Sequence, residues 1–286
     1  MSTADPTEGL IRDWTYVPSP VALGVQVSRA LRSMLLRRRA PAYRVLVPAN
    51  ASDRWNVYFV FLPNGGVSAA HLYTLDRLKA ERGKLLVVCA SSDPGQVPAA
   101  LRERADALIW KALPGFDFSA YGLALRHLAE VSSGADVFVM NDSVLGPFTS
   151  PAKSLEDVPW DFTGFTASSL FENHVQSYAF QLRALTPARL ESLTPVFPRQ
   201  SAFTRYMDVV ICQETRLARA AFQTMSVGAR WFARHEAVRN LSLKRGAVLT
   251  GAGVPFVKKS LLDRYSGLQD RAEIAAILET YRHPLP

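Results

Sequence analysis

The sequence predicts an α/β protein, one large domain built on a mainly parallel sheet with helices on both faces. From Trp55 onward, apolar runs of strand length alternate with amphipathic helical stretches. A length of 286 residues is enough for a full core. Neither a linker nor an internal repeat divides the chain, so these segments should pack into a single unit.

Four strands separated by helices are predicted between Trp55 and Ser143. They are Asn56–Leu62, Lys84–Ala90, Ala107–Trp110 and Ala135–Met140. Ser68 should cap the helix after the first strand. Because parallel strands end at the same edge of a sheet, their loops should form one ligand-binding rim. These loops are Pro63–Gly66, Ser91–Gly95, Leu113–Asp117 and Asn141–Ser143. No GxGxxG or P-loop motif lies there, which disfavours a classical dinucleotide or P-loop site.

The second half of the chain is less regular. Asp161–Thr166 and the alternating run His174–Leu182 are predicted strands. Val209–Met225 is predicted to be a helix that turns Leu217, Phe222 and Met225 inward and stops at Gly228. A terminal helix should end near Tyr281.

The basic residues are concentrated near the start of the chain. Lys and Arg number 33 against 25 Asp and Glu, and six arginines lie between Val21 and Asn50 without an acidic residue. Those arginines are Arg29, Arg32, Arg37, Arg38, Arg39 and Arg44. Helical spacing of Val27, Leu31, Met34 and Leu35 predicts an amphipathic helix over Val27–Arg39 with a basic end. Two interpretations stay open, a solvated helix with a favourable C-terminal charge and attachment to an anionic membrane surface. Nucleic acid is not expected, because the arginines are not interleaved with a series of aromatic residues and no binding motif follows them.

Several protein classes are disfavoured by composition. No stretch approaches the ~20 apolar residues of a membrane span, and Met1–Leu10 lacks the pattern of a secretory signal. Cys89 and Cys212 form no metal-binding motif and are expected to be buried thiols in a reducing compartment. A cytoplasmic protein, with peripheral contact to the inner face of the membrane, fits these observations.

Asp142 is the strongest candidate site residue. It follows an apolar strand and is flanked by Asn141 and Ser143. A carboxylate at this position could hold Mg²⁺ or Mn²⁺ against a substrate diphosphate. The alternative is an Asx turn that closes the strand before Gly146.

Other acidic residues lie at predicted helix and strand starts. Asp117 either contacts substrate or stabilises a helix N-terminus. Asp161 precedes a strand, where burial would raise its pKa and suit it to acid–base work, unless it is a structural turn residue. Glu214 follows Val209–Ile211 near the start of the predicted helix, a position that also favours a carboxylate on structural grounds alone. His174 and Gln176 should point to the same side of a strand, towards a sugar or a phosphate; alternatively, His174 is a structural histidine.

Several segments, taken in order, resemble the rhamnan synthesis protein F family. They are Gly115–Phe118 with Tyr121, Asn141–Pro147, Asp161–Thr166, His174–Tyr178, Ile211–Glu214 and Gly253–Lys258. The match runs from Trp55 to Leu262, and the block Asn141–Pro147 is its most distinctive part.

This resemblance implies a GT-A-like, Rossmann-type glycosyltransferase that adds rhamnose or another deoxysugar during synthesis of bacterial surface polysaccharide, such as lipopolysaccharide O-antigen. The partners would be a nucleotide-sugar donor and a glycan or lipid-linked glycan acceptor. The chain is therefore expected to contain three regions: the basic amphipathic segment over 1–54, a nucleotide-sugar-binding half over 55–150, and an acceptor-binding and catalytic half over 151–286 with the terminal helix. The alternative is a non-catalytic accessory protein of a polysaccharide-assembly complex.

Under this comparison the candidate residues take specific roles. Glu214 matches the catalytic carboxylate, with Asp161 in reserve. Donor binding would fall to Asp93, Asp117, Asn141, Asp142 and Ser143, and acceptor binding to His174 and Gln176. Asp142 would be the metal ligand, although the triplet has one carboxylate where the usual motif has two, which leaves metal dependence open.

The chain departs from the family pattern at two places on the predicted rim. Phe61–Pro63 replaces a His/Tyr-Asp pair, and Leu113 replaces an asparagine. A different donor, or reduced activity, is therefore expected.

Overall fold

In the computed structural model, which describes residues 7–238, 240–267 and 271–286, most of the apolar runs form strands of one sheet. The first six residues of segment 1–54, which also begin the stretch Met1–Leu10, lie outside the described residues. The strands are β1 (Ile11–Thr15), β2 (Arg38–Arg39), β3 (Tyr43–Val47), β4 (Arg54–Phe61), β5 (Lys84–Ala90), β6 (Ala107–Lys111), β7 (Ala135–Asn141), β8 (Val144–Leu145), β9 (Phe162–Ser168), β10 (His174–Val175), β11 (Ala179–Leu185), β12 (Ser201–Ala202), β13 (Val227–Ala233) and β14 (Val257–Lys258). The α-helices are α1 (Leu23–Leu35), α2 (Ala69–Lys79), α3 (Ala99–Arg104), α4 (Phe116–Val131), α5 (Pro151–Ser154), α6 (Pro187–Ser192), α7 (Tyr206–Val209), α8 (Thr215–Ala221), α9 (Leu241–Lys244), α10 (Gly246–Gly251) and α11 (Arg271–Thr280).

The main sheet has its parallel strands at the centre. Its order is β1-β13-β9-β11-β7-β4-β5-β6-β3, with β10 paired to β9. Strands β7, β4, β5 and β6 are mutually parallel, whereas β11 and β3 run antiparallel beside them. The four parallel strands are those predicted from the apolar runs.

Helices cover both faces of the sheet, because alternate residues of each central strand point to opposite sides. In β4, Trp55, Val57 and Phe59 pack on the face that carries α4, α6 and α8. Tyr58 and Val60 pack on the other face, against α2 and α3. The predicted α/β class, with helices on both faces of one sheet, is confirmed.

The segment before Trp55 contributes to the same sheet. β1 pairs with β13 at one edge, and β3 pairs with β6 at the other. The predicted helix over Val27–Arg39 is wrong at both ends: α1 runs from Leu23 to Leu35, and Arg38–Arg39 forms β2, paired with β12. Pairing with Ser201 and Ala202 draws the two arginines away from the helix end.

The second half of the chain differs from the prediction in three places. His174–Leu182 is not one strand, because the chain leaves β10 after Val175 and begins β11 at Ala179. Phe222 is 43% exposed rather than inward. Gly228 lies inside β13, a strand that the sequence analysis missed, and so does not stop a helix.

Within the described ranges, no helix is long and apolar enough to cross a bilayer.

Gly115 sets the start of α4. Its φ is +95°, and an added Cβ would lie 2.7 Å from Ser119 Oγ and 3.1 Å from Ala202 Cβ. Gly115→Ala should therefore destabilise the fold by about 1–3 kcal/mol, measured by urea unfolding. Gly66→Ala is the control, because its Cβ would meet nothing within 4 Å. Equal stability of the two variants would contradict this account of the helix start.

Candidate active site

A cavity of about 770 Å³ opens at the carboxyl ends of β4 and β7. One wall comes from the central sheet and the start of α4, including Phe59, Asp117 and Asn141. The opposite wall comes from the second half of the chain, including Glu214 and Lys258. The volume is in the range of pockets that bind small organic ligands.

The turn after β7 is held by a network of polar contacts. Asn141 Nδ2 donates to Asp117 Oδ2 at 2.8 Å, and Asn141 Oδ1 accepts from the Ser143 hydroxyl at 2.6 Å and from its backbone N–H at 3.1 Å. Asp142 Oδ2 accepts the backbone N–H of Phe61 at 2.8 Å, which ties β7 to β4. An Asx turn is thus present, but Asn141 forms it rather than Asp142, whose carboxylate lies at the edge of the cavity.

Glu214 reaches the cavity from an irregular part of a helix. It ends a π-helical turn, Val210–Glu214, between α7 and α8. Such turns are frequent at functional sites. The Ser177 hydroxyl donates to Glu214 Oε2 at 3.1 Å.

Lys258 supplies a positive charge close to these acids. Its Nζ donates to Ser143 Oγ at 3.1 Å and lies 4.5 Å from the centre of the Tyr178 ring. Pairing of β14 with β8 brings Lys258 opposite Val144, directly after the 141–143 turn.

The cavity perturbs the charges of its own residues. Burial raises the pKa of Asp142 to about 6. Burial, together with repulsion from Glu214, raises the pKa of Asp117 to about 6. The pKa of Glu214 is also raised by burial, against the attraction of Lys258, and burial lowers the pKa of Lys258. Clustered perturbed groups of this kind are typical of functional sites.

His71 adds a neutral polar group behind Asp142. Its Nε2 lies 3.8 Å from Asp142 Oδ2, and its Nδ1 completes the cap of α2 with Ser68. Burial lowers the pKa of His71 to about 4, so this imidazole is uncharged at neutral pH and the contact is not an ion pair.

Six of the predicted site residues line this one cavity. They are Asp117, Asn141, Asp142, Ser143, Gln176 and Glu214. They come from both halves of the chain.

Asp161 lies elsewhere, at the opposite end of the sheet. It precedes β9, whose first residue is level with Val137 at the start of β7. Burial would raise the pKa of Asp161, but hydrogen bonds from Ser226 and an ion pair with Arg189 lower it instead. The expected raised pKa is wrong, and the position matches the alternative of a structural turn residue.

His174 and Asp93 also lie outside the lining of the cavity. His174 is buried, with Nδ1 2.9 Å from the Glu172 carbonyl, and burial lowers its pKa to about 4. Gln176 does line the cavity, because the end of β10 breaks the expected alternation between the two residues. Asp93 is exposed and caps the turn Pro94–Gln96 through the Gly95 N–H at 2.6 Å.

Several residues that line the cavity were not predicted from the sequence. Ser177 and Tyr178 were quoted only as part of a motif, and Tyr206, Arg264 and Tyr265 were not considered. The motif His174–Tyr178 was the available signal for the first two. Tyr206 begins the four-residue helix α7, which is too short for a periodic pattern, and Arg264 and Tyr265 lie in turns.

The residues around Asp142 do not fit a divalent cation. In the described ranges no three His, Cys, Asp or Glu side chains are close enough to share an ion. The Phe61 N–H already occupies one Asp142 oxygen, and the positive charge of Lys259 lies close enough to lower the pKa of Asp142. We therefore derive no step through a metal ion.

No protein-family model matches the chain, and no curated protein matches it. Solved structures show weak similarity. TarS of S. aureus in complex with UDP-GlcNAc is 13% identical, covers 80% of this chain and 71% of its own, and has a TM-score of 0.39. The 4-diphosphocytidyl-2C-methyl-D-erythritol synthase of Anaerococcus prevotii is 12% identical, with 64% and 87% coverage and a TM-score of 0.38. The mannosyltransferase PcManGT of Pyrobaculum calidifontis, in complex with GDP-Man and Mn²⁺, is 14% identical, with 91% and 90% coverage and a TM-score of 0.31. Similarities this weak do not indicate the function of this chain, and the proposal below rests on the residues of the cavity.

Asp142→Asn should stabilise the protein at pH 7. The native carboxyl keeps its proton up to a pH of about 6, whereas the unfolded carboxyl loses it near 3.8. Above pH 6 the folded state must hold an unfavourable charge, which Asn removes while it still accepts the Phe61 N–H. We expect a gain of about 1–3 kcal/mol at pH 7 that disappears by about pH 4, measured by urea unfolding.

Asp161→Asn is the control with the opposite sign. Its carboxyl has a lowered pKa, so it stabilises the fold above its unfolded pKa and the variant should lose stability at pH 7. A loss of stability in Asp142→Asn at pH 7 would contradict the electrostatic account of the cavity.

Proposed function

We propose that this protein is a glycosyltransferase that moves a sugar from a nucleotide-sugar donor to a hydroxyl group of an acceptor. One observation carries the proposal. Asp117, Asp142, Glu214 and Lys258 come from distant parts of the chain and meet in one cavity at the carboxyl ends of parallel strands. Carboxylates and a lysine with perturbed pKa values can bind a charged leaving group and transfer a proton, as a displacement at a sugar carbon needs.

Cationic side chains would hold the diphosphate of the donor. Lys258, Lys259 and Arg264 all line the cavity. Burial lowers the pKa of Lys258. The negative charge of a bound diphosphate would raise that pKa again and keep the amine protonated. Asp117 and Asn141 would accept and donate hydrogen bonds to the hydroxyl groups of the nucleoside or sugar.

Glu214 is the proposed general base. The acceptor oxygen attacks the anomeric carbon, and its proton passes to the Glu214 carboxylate. The bond between that carbon and the diphosphate oxygen breaks, and the nucleoside diphosphate leaves with the electron pair. Lys258 stabilises the charge that develops on this leaving group, and a raised pKa makes Glu214 a stronger base than an ordinary glutamate.

The sugar and the acceptor rest on the sequence resemblance. In its more specific form, the proposal is that the protein transfers rhamnose or another deoxysugar to a bacterial surface polysaccharide or lipid-linked glycan. Two features favour the alternative of a non-catalytic accessory protein: Phe61 and Leu113, where the family carries polar residues, line the cavity. Catalytic turnover separates the two.

Donor binding is the first test. Purified protein is titrated with a panel of UDP-, GDP- and dTDP-sugars, with EDTA or with Mn²⁺, and binding is measured by calorimetry. We expect at least one donor to bind equally well in EDTA, and Lys258→Met to weaken that binding by about 10- to 100-fold. Lys153→Met, at an exposed lysine, is the control. Absence of binding by every donor would overturn the proposal, and binding that requires Mn²⁺ would overturn the role given to Lys258 in holding the diphosphate.

Glu214→Gln tests the chemical step. Loss of the base should lower kcat by about 10²- to 10⁴-fold with little change in donor Kd, while Glu130→Gln, at the exposed end of α4, should behave as wild type. The rate of the wild type should fall as the pH drops through the pKa of Glu214, because the base must be deprotonated. Unchanged polymer formation by Glu214→Gln, in cells or in vitro, would favour the accessory role.

A further inference from the structure

The helix α1 turns its apolar face to solvent. Leu23 and Met34 are 75% and 71% exposed, and Val27, Leu31 and Leu35 are also exposed. These five residues recur at helical spacing along α1, so they form one continuous stripe. Exposed apolar patches of this kind mark interaction surfaces.

The inward face of α1 is charged. Arg29 is buried and forms an ion pair with Glu172 at 2.5 Å, and it also donates to the Ile211 carbonyl at 2.8 Å. Arg32 pairs with the buried Asp208. These contacts fix the orientation of the helix, because rotating α1 to bury the apolar stripe would leave Glu172 and Asp208 without these partners.

Basic groups lie beside the apolar stripe and follow it in the chain. Arg205 is exposed next to it, and the exposed residues Arg38, Arg39 and Arg44 come shortly after α1, in a segment Val21–Asn50 that has no acidic residue. A shallow groove beside the stripe is lined by Val27, Leu31 and Leu35 together with Arg205. An apolar stripe rimmed by positive charge matches the interface of an anionic bilayer, in which apolar side chains enter the acyl boundary and arginines contact phosphates.

We propose that α1 and the arginines around it dock the protein on an anionic membrane surface. The contact differs from the purely electrostatic one expected from the sequence, because the apolar face of a rigidly held helix enters the lipid. A second copy of the chain that met this one through the same face would bring arginine against arginine, because α1 carries no acidic residue.

The same surface leads to the candidate active site. Arg205 is followed by the exposed residues Tyr206 and Met207, and Tyr206 also lines the cavity. The Arg32–Asp208 ion pair joins α1 to α7. Docking would therefore turn the mouth of the cavity towards the lipid, where a membrane-anchored acceptor could reach Glu214. This second step rests on the proposed function, whereas docking itself does not.

Vesicle co-sedimentation of the full chain tests docking. The probes are vesicles of phosphatidylcholine alone and of phosphatidylcholine mixed with phosphatidylglycerol. We expect binding to the mixed vesicles only, and a loss of at least about tenfold in Leu31→Ser/Met34→Ser. Leu285→Ser, at an exposed apolar residue of the C-terminus, should bind as wild type.

The arginines are tested separately. Arg38→Gln, Arg39→Gln and Arg44→Gln should each weaken binding about fivefold, an effect that high salt mimics. Arg102→Gln, at an exposed arginine of α3, is the control. Equal binding of the wild type to neutral and mixed vesicles, or unchanged binding of the α1 double variant, would overturn the proposal. So would self-association in solution that the same double variant abolishes, because the face would then be an interface between copies.

Donor-binding and activity measurements distinguish the docking proposal from the glycosyltransferase proposal. The α1 variants lie outside the cavity, so they should bind the donor in solution as the wild type does. With an acceptor carried on vesicles their turnover should fall, and with the same glycan free in solution it should not. Vesicle binding without any donor binding would leave docking standing and remove the glycosyltransferase.

Discussion

The side-chain amide of Asn141 is the interaction on which the geometry of the site depends. An amide both donates and accepts, and Asn141 uses both capacities: it donates to Asp117 and accepts from Ser143. The hydroxyl oxygen of Ser143 in turn accepts a hydrogen bond from Lys258 Nζ. The end of β7, the start of α4 and the strand β14 are thereby joined through one residue. A second carboxylate at position 141 would repel Asp117 and could not replace the donor. This requirement accounts for an amide, rather than a carboxylate, at position 141.

The electrostatics of the cavity come at a cost in folding free energy. Asp117, Asp142 and Glu214 all have raised pKa values, and the pKa of Lys258 is lowered, so each is held in surroundings that disfavour its charge. Repulsion between Glu214 and Asp117 adds to the burial of both. A chain selected only for stability would replace such groups, whereas a site that must receive phosphate charge and move a proton needs them. Asp161, outside the cavity, shows the contrast, because every polar contact it makes stabilises its ionised form.

Much of the central sheet and part of the site could be predicted from the sequence. The strands β4 to β7 are continuous apolar runs, which buried parallel strands require, and their shared direction places Asp117 and Asn141–Ser143 on one rim. Edge strands were missed, since β1 and β3 are short and largely exposed. Glu214 could be matched to the cavity only through the resemblance, because a π-helical turn has no sequence period. His174 was wrongly predicted to face the same side as Gln176. The strand β10 ends at Val175, so the alternation of side chains does not extend to Gln176.

The helix α1 shows what helical periodicity in a sequence can and cannot predict. The spacing of its apolar residues identified the apolar stripe correctly. Spacing does not say which way the stripe faces, and an amphipathic helix is normally expected to turn it inward. What decides the outcome is the other face: Glu172 is almost fully buried and is paired with both Arg29 and Arg219. Burying Leu23 and Met34 instead would take Arg29 away from Glu172 and Arg32 away from the buried Asp208. Removing one partner of a buried ion pair costs more than apolar burial returns. These two buried acids thus dictate which side of α1 meets the surroundings. The apolar surface exposed in this way belongs to the folded state, so the proposed docking would need no rearrangement of α1.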